Sequence, residues 1–310
     1  MKAEKQTSPG RSQFHLRPAI RDFLASDVRS CYSANINPTD FRSPCQRAFT
    51  LLDLIAAVAI IAVLALTLLP ALAKSGGRAT RITCFNNKRH VQAACAMYSG
   101  DSNEYLVPNA GAGSVVGWCR GLESWAGVDA NINPAFYTTN ALGRYVGDIK
   151  AYKCPNDNIP SDNGQRIRSI SMNSALLGDL QHMDPGEYNV LKSYNSPYRV
   201  YAKTSDLTAP TPANMWVFCD ESMYSLNDGF LQMNLNTPGD YPDVPAAYDN
   251  GGNCLSFADA HVEYRKWQFR NIRFGLLDCP YRYNQTGTHW QGGGAFDLDW
   301  FWLQQRTSSL

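Results

Sequence analysis

Residues 48–73, AFTLLDLIAAVAIIAVLALTLLPALA, form an apolar run with one acid near its start, Asp53, and one proline near its end, Pro70. Residues 54–72 carry no formal charge. As a helix they reach about 28 Å at 1.5 Å per residue, close to the ~30 Å hydrocarbon core of a bilayer. The competing reading is a buried core helix, but core helices seldom run this far without a polar face. An acid inside such a helix costs roughly 2.5 to 3.5 kcal/mol at the bilayer centre on insertion scales. It therefore needs either a partner or an interfacial depth that water and headgroups reach. Asp53 reads as an assembly residue.

The run divides the chain into four parts. Residues 1–48 hold Lys2, Lys5, Arg11, Arg17, Arg21, Arg29, Arg42 and Arg47 against Glu4, Asp22, Asp27 and Asp40, a disordered basic leader that is expected to be cleaved. Residues 49–73 are the transmembrane and assembly helix. Residues 74–103 continue it as an amphipathic segment, expected to loosen at Ser75-Gly76-Gly77 and to resume from Arg78 to about Ser99. There Ile82, Phe85, Val91, Ala94, Cys95 and Tyr98 recur at helical spacing as an inner stripe, with Arg81, Lys88, Arg89 and Gln92 on other faces. Gly100-Asp101-Ser102-Asn103 supplies the turn chemistry that ends it.

Residues 104–310 are rich in Gly, Pro, Asn, Asp, Tyr and Trp and read as loops and strands. Residues 215–219 suit a buried strand. Residues 253–257 and 262–267 flank Ala258-Asp259-Ala260-His261 as a β-hairpin with Asp259 at its turn. The expected class is α+β: a long N-terminal helix packed on an antiparallel sheet, with residues 298–306 docking on that sheet.

Arg47-Ala48-Phe49-Thr50-Leu51-Leu52-Asp53-Leu54 resembles the processing site of type IV prepilins and type II secretion pseudopilins: a basic leader, glycine, then Phe-Thr-Leu-x-Glu and a hydrophobic helix. Pro70 sits where those helices usually kink. Arg81-Ile82-Thr83-Cys84-Phe85-Asn86-Asn87 and Met97-Tyr98 resemble a long-headed subfamily with "R-x-S-C-x-N-N-L-K-Q" followed by "M-Y". The likeness extends to Tyr152-Lys153-Cys154-Pro155-Asn156-Asp157, Trp216-Val217-Phe218-Cys219-Asp220-Glu221 and Ser256-Phe257-Ala258-Asp259-Ala260-His261-Val262. Here Ala48 replaces the glycine and Asp53 the glutamate, one methylene shorter. The subfamily's histidine ten residues before a "DG" has Asp249, Asp259 and Ala260 at the matching positions.

The resemblance implies cleavage between Ala48 and Phe49 by a prepilin peptidase, N-methylation of Phe49, and an Asp53 carboxylate that meets the N-terminal amine of a neighbouring subunit. The implied partners are that peptidase, other pilin or pseudopilin subunits, a secretion or pilus assembly platform and membrane lipid. The implied location is the inner membrane, crossed once, with the leader cytoplasmic and the head periplasmic or extracellular. Charge counting alone points the other way, since Lys74, Arg78, Arg81, Lys88 and Arg89 follow the helix with no acid among them. A second reading is a membrane-anchored surface protein whose aromatic head, with all seven tryptophans, binds a glycan or a protein.

A net charge of +1 and the absence of a basic stripe interleaved with aromatics argue against nucleic acid. No G-x-S-x-G, H-E-x-x-H or glycine-rich phosphate loop occurs, and His90, His182, His261 and His289 stand in no metal or triad motif, so no catalysis is expected. Cys31 and Cys45 lie in the leader. Beyond it come Cys84, Cys95, Cys119, Cys154, Cys219, Cys254 and Cys279, an odd set that leaves at least one thiol free or paired between chains. The favoured bridge is Cys119 to Cys154, both in loop-rich parts of the head. With no CxxC pair, spacing gives no zinc signal. No cofactor is required by the sequence. Some pseudopilin heads use calcium, and Asp220, Glu221, Asp228 and Asp259 are the candidate oxygen ligands by that resemblance, with turn formation as the other explanation.

Overall fold

The computed structural model describes residues 50–109, 116–179, 183–223, 225–268, 290–291 and 296–310, with the backbone alone at 68–77 and 290–291. The leader, Ala48, Phe49, His182, Cys279 and His289 lie outside the described residues.

The first element, α1, is one helix, Leu51–Asp101. Thr50 and Asp53 close its start as a reciprocal cap. The Asp53 carboxylate accepts from the Thr50 backbone N–H at 3.0 Å and from Thr50 Oγ1 at 2.7 Å, and Asp53 N–H donates to Thr50 Oγ1 at 3.3 Å. Every side chain from 51 to 67 is exposed, including Ile60, Ile61, Leu64 and Leu66. Among the described residues no helix is long and apolar enough to cross a membrane. The 68–72 end of the apolar run, Pro70 included, belongs to the part of α1 described by its backbone only. The joint expected at Ser75-Gly76-Gly77 does not form, because the backbone is helical through it. A glycine inside a helix costs only about 1 kcal/mol against alanine, which the turns on both sides outweigh. The helix stops as expected just past Gly100, where Asn103 (φ 51°) and Glu104 (φ 66°) turn left-handed and Glu104 N–H donates back to the Ser99 carbonyl.

The chain's larger compact unit, Ala62–Leu310, contains the sheets and the core. Its helices after α1 are α2 (Ala135–Thr138), α3 (Gly143–Val146), α4 (Pro185–Asn195) and α5 (Leu298–Thr307). Its strands are β1 (Pro160–Ser161), β2 (Gly164–Gln165), β3 (Ile170–Asn173), β4 (Trp216–Asp220), β5 (Phe230–Leu231), β6 (Asp240–Tyr241), β7 (Gly252–Phe257), β8 (Val262–Lys266) and β9 (Trp290–Gln291). The main sheet runs β5-β3-β4-β7-β8. Three of its pairings are antiparallel, but β5 lies parallel to β3, so the class is α+β with a mixed sheet rather than a wholly antiparallel one. The hairpin of β7 and β8 pairs Ser256 with Val262 and Gly252 with Lys266, close to the expected bounds. The expected strand at 215–219 is β4, one residue on.

Side chains from α1 enter the core beside this sheet: Val91, Ala94 and Cys95 join Ile170, Met172, Val217 and Phe218 in one cluster. The buried face of α1 is not the apolar stripe alone. Ile82 is 62 % exposed, while Lys88 and Gln92 are buried. The face is set by what its partners offer: Lys88 meets a carboxylate and Gln92 accepts from Ser256 Oγ. A second cluster sets Trp216, Cys219, Leu255 and Phe257 against Trp300 and Leu303 of α5, so the chain's end does pack on the sheet. Loops and strands alone did not foretell α4, whose signal is Asp184 as N-cap, accepting from Gly186 and Glu187, with Pro185 in the first turn. Trp118, Trp216, Trp267 and Trp300 are buried, so these four rings fill the head rather than line its surface.

Candidate functional site

Four segments distant in sequence bring three thiols, a carboxylate and an ammonium together inside the head. Cys84 and Lys88 stand one turn apart on α1 and so share a face. Cys154 follows the short 3-10 turn Ile149–Tyr152, Asp220 ends the central strand β4, and Cys254 lies mid-way along β7. None of these five side chains belongs to a residue more than 2 % exposed.

Cys84 Sγ lies 3.6 Å from Asp220 Oδ2. The sulfurs of Cys84 and Cys154 and an Asp220 oxygen all fall within 4.8 Å of one another. Cys254 packs in the same buried cluster as Cys84 and Cys154. The two oxygens of Asp220 have different company. Oδ1 receives Lys88 Nζ at 2.8 Å and Ser169 Oγ at 2.8 Å, and the same Ser169 Oγ accepts from Cys154 N–H at 2.7 Å. Oδ2 faces the thiols. Asn253 holds the end of β4 through Asp220 N–H (3.0 Å) and the Asp220 carbonyl (2.6 Å).

The charges are strongly perturbed. The neighbouring Cys154 and Cys254 thiols, with help from the Lys88 charge, pull the Cys84 thiol below its ordinary value. Cys154 and Cys254 move up, first through their interaction with Cys84 and then because they are buried. Burial pushes Asp220 up to about 7 against the opposing pull of Lys88. Burial works against the Lys88 ammonium, yet Asp220 and Cys84 outweigh it and keep lysine protonated. Buried thiols beside a carboxylate and a fixed cation are the donor set of a soft-metal or redox-active centre.

Around this centre, side chains from α1 clasp the head. Arg81 reaches Asp249 through Nε at 2.6 Å and a terminal nitrogen at 3.3 Å, and its guanidinium lies 3.9 Å over the Tyr264 ring. Asn87 Nδ2 donates to the carbonyls of Lys150 and Lys153, which fixes the turn that presents Cys154.

The site residues read from the sequence fare unequally. Cys119 and Cys154 are both free, and they lie in different clusters: Cys119 packs with Trp118 in the core beside α1, Cys154 with Cys84 and Cys254. The bridge between them is thus corrected, since a loop-rich context says nothing of where a side chain points. The calcium set separates into three places. Asp220 belongs to the thiol centre. Glu221 and Asp228 are electrostatic neighbours of buried Asp243, which the sequence reading had not singled out. Asp259 sits half-exposed at the hairpin turn, bonded to His261 N–H at 3.1 Å and to His261 Nδ1 at 2.5 Å. The four carboxylates therefore do not converge on one cation, and turn formation accounts for Asp259. Asp53 lies at its cap, described above. Cys84, Lys88 and Cys254 were missed as site residues. The i, i+4 spacing of Cys84 and Lys88 was available as a local signal, but nothing near either pointed to positions 154, 220 or 254.

Compared with protein-family models, with curated proteins and with solved structures, the chain finds no match in any of the three.

Proposed function

We propose that this chain is a pseudopilin-like structural subunit of a type II secretion or type IV pilus-like filament, anchored by α1 and without catalytic activity of its own. The observation that carries the reading is the division of labour along one helix. From 51 to 67 every side chain is exposed and all but Asp53 and Thr67 are apolar, whereas from Cys84 onward the helix is embedded in an α+β head. An exposed apolar helix of this kind is unstable in water and calls for lipid or the same helix of other subunits.

In this reading a prepilin peptidase cuts between Ala48 and Phe49, and Phe49 is N-methylated. The new amine then lies one residue before Thr50, whose bonds to Asp53 hold the carboxylate at the very start of the helix. A second copy offers its amine to that carboxylate, an ion pair that gains strength as water leaves the helix bundle. The leader stays in the cytoplasm, the helix in the inner membrane, and the head beyond it.

Mass spectrometry of the N-terminus after membrane extraction tests the processing step. The expected mass is that of a chain beginning at methylated Phe49; an intact leader overturns the reading and favours a plain signal anchor with a ligand-binding head. Asp53→Ala is expected to reduce filament incorporation by tenfold or more while the head's near-ultraviolet dichroism stays unchanged. Unaltered incorporation counts against the assembly role.

A further inference from the structure

We propose that Cys84, Cys154, Cys254 and Oδ2 of Asp220 form a structural zinc site that clamps α1 to the head. Zinc takes four ligands at tetrahedral corners, with Zn–S near 2.3 Å and Zn–O near 2.0 Å, which sets the sulfur-to-oxygen edge at about 3.5 Å. Cys84 Sγ and Asp220 Oδ2 already stand 3.6 Å apart. The sulfurs of Cys84 and Cys154 and an Asp220 oxygen lie within 4.8 Å of one another, and Cys254 packs with both cysteines in one buried cluster, next at hand as the fourth donor.

The surroundings are those a ligating carboxylate needs. Lys88 and Ser169 occupy Asp220 Oδ1 and leave Oδ2 for the metal, and Ser169 also tethers the backbone of Cys154. Such outer partners fix the orientation of the inner ligands. Three thiolates and one carboxylate, set against a divalent cation and the Lys88 ammonium, leave a single net negative charge. That is a far smaller burden for a buried site than unpaired thiolates would be. Binding is balanced without oxidation: each thiol yields its proton to solvent as its sulfur takes the metal.

A disulfide fits less well. It uses two of the three sulfurs and gives the third sulfur and Asp220 Oδ2 no role. With Cys254 as the fourth donor and no exposed face, the site has no open position for substrate, which makes it structural. The ligands come from α1, the 149–154 turn, β4 and β7, so one ion would pin the helix to both the sheet and its flanking loop. This inference does not depend on filament assembly.

The full-length chain, extracted in detergent from cells grown with zinc, provides the test. Elemental analysis is expected to find close to one zinc per chain, and replacement by Co²⁺ to give the thiolate charge-transfer and intense visible bands of a tetrahedral sulfur-rich site. Cys84→Ser and Cys254→Ser are expected to lose most of the metal, while Cys119→Ser retains it. If the cluster variants fail to fold, the cobalt spectrum of the unaltered chain still decides. A metal-free chain in which Cys84, Cys154 and Cys254 are all free thiols overturns the proposal. So does a non-reducing peptide map that joins Cys84 to Cys154 or Cys254, or metal that survives Cys84→Ser unchanged.

Discussion

Lys88 places its Nζ 2.8 Å from Asp220 Oδ1 with both side chains buried, one turn along α1 from the Cys84 sulfur that faces the other oxygen of the same carboxylate. Removing one member of a buried pair leaves the other charged and dry, at a cost of about 3–5 kcal/mol. Lys88→Met is therefore expected to lower the head's unfolding free energy by that amount at pH 8, measured by urea titration. At pH 5 the loss should shrink, because burial already pushes Asp220 up to about 7 and the carboxyl takes a proton once its cation is gone. Equal losses at both pH values would show that the carboxylate is held charged by something other than Lys88.

The pieces of this centre were legible in the sequence, but their meeting was not. Arg81 to Asn87, Tyr152 to Asp157 and Trp216 to Glu221 stood out as separate segments. In the structure they supply Arg81, Cys84, Asn87, Cys154 and Asp220 to one neighbourhood. Periodicity placed Val91, Ala94 and Cys95 on the inner face of α1 correctly, since apolar spacing reports burial against apolar neighbours. It misplaced Lys88 and Gln92 because a polar side chain is buried by a specific partner, here Asp220 and Ser256, which only the tertiary fold brings within reach. The hairpin at 252–266 was readable from its turn residues. The parallel pairing of β5 with β3 was not, because contacts between distant strands leave no local pattern.

Ala260 closes that hairpin with φ 72°, in the left-handed region that costs an L residue roughly 1–2 kcal/mol. Its side chain is exposed, so deleting the methyl group leaves no cavity. Ala260→Gly relieves the strain at the smaller expense of a freer unfolded chain, for a net gain of about 1 kcal/mol. Urea unfolding should show a higher midpoint with an unchanged slope. A lower midpoint would mean that the methyl group makes a stabilising contact at the turn.

Asp243 gives the head a pH dependence of definite sign. Its Oδ2 accepts from Gln232 N–H at 2.7 Å, and burial first, then the nearby Glu221 and Asp228 carboxylates, hold its pKa well above the ordinary aspartate value. Burial likewise pushes Asp228 up to about 7. Between the unfolded and folded pKa values the folded chain binds more protons than the unfolded one, so stability falls as pH rises. The contribution is complete below about pH 4, where both states are protonated, and is lost as pH climbs through the folded values. The thermal midpoint of the unaltered chain should therefore drop between pH 5 and pH 8. Asp243→Asn keeps an acceptor for Gln232 and removes the charge. It should stabilise the head at pH 8 by roughly 1–3 kcal/mol, with one pKa unit corresponding to about 1.4 kcal/mol, and change little at pH 5. A variant whose midpoint follows the same pH course as the unaltered chain would place the titrating proton on another group.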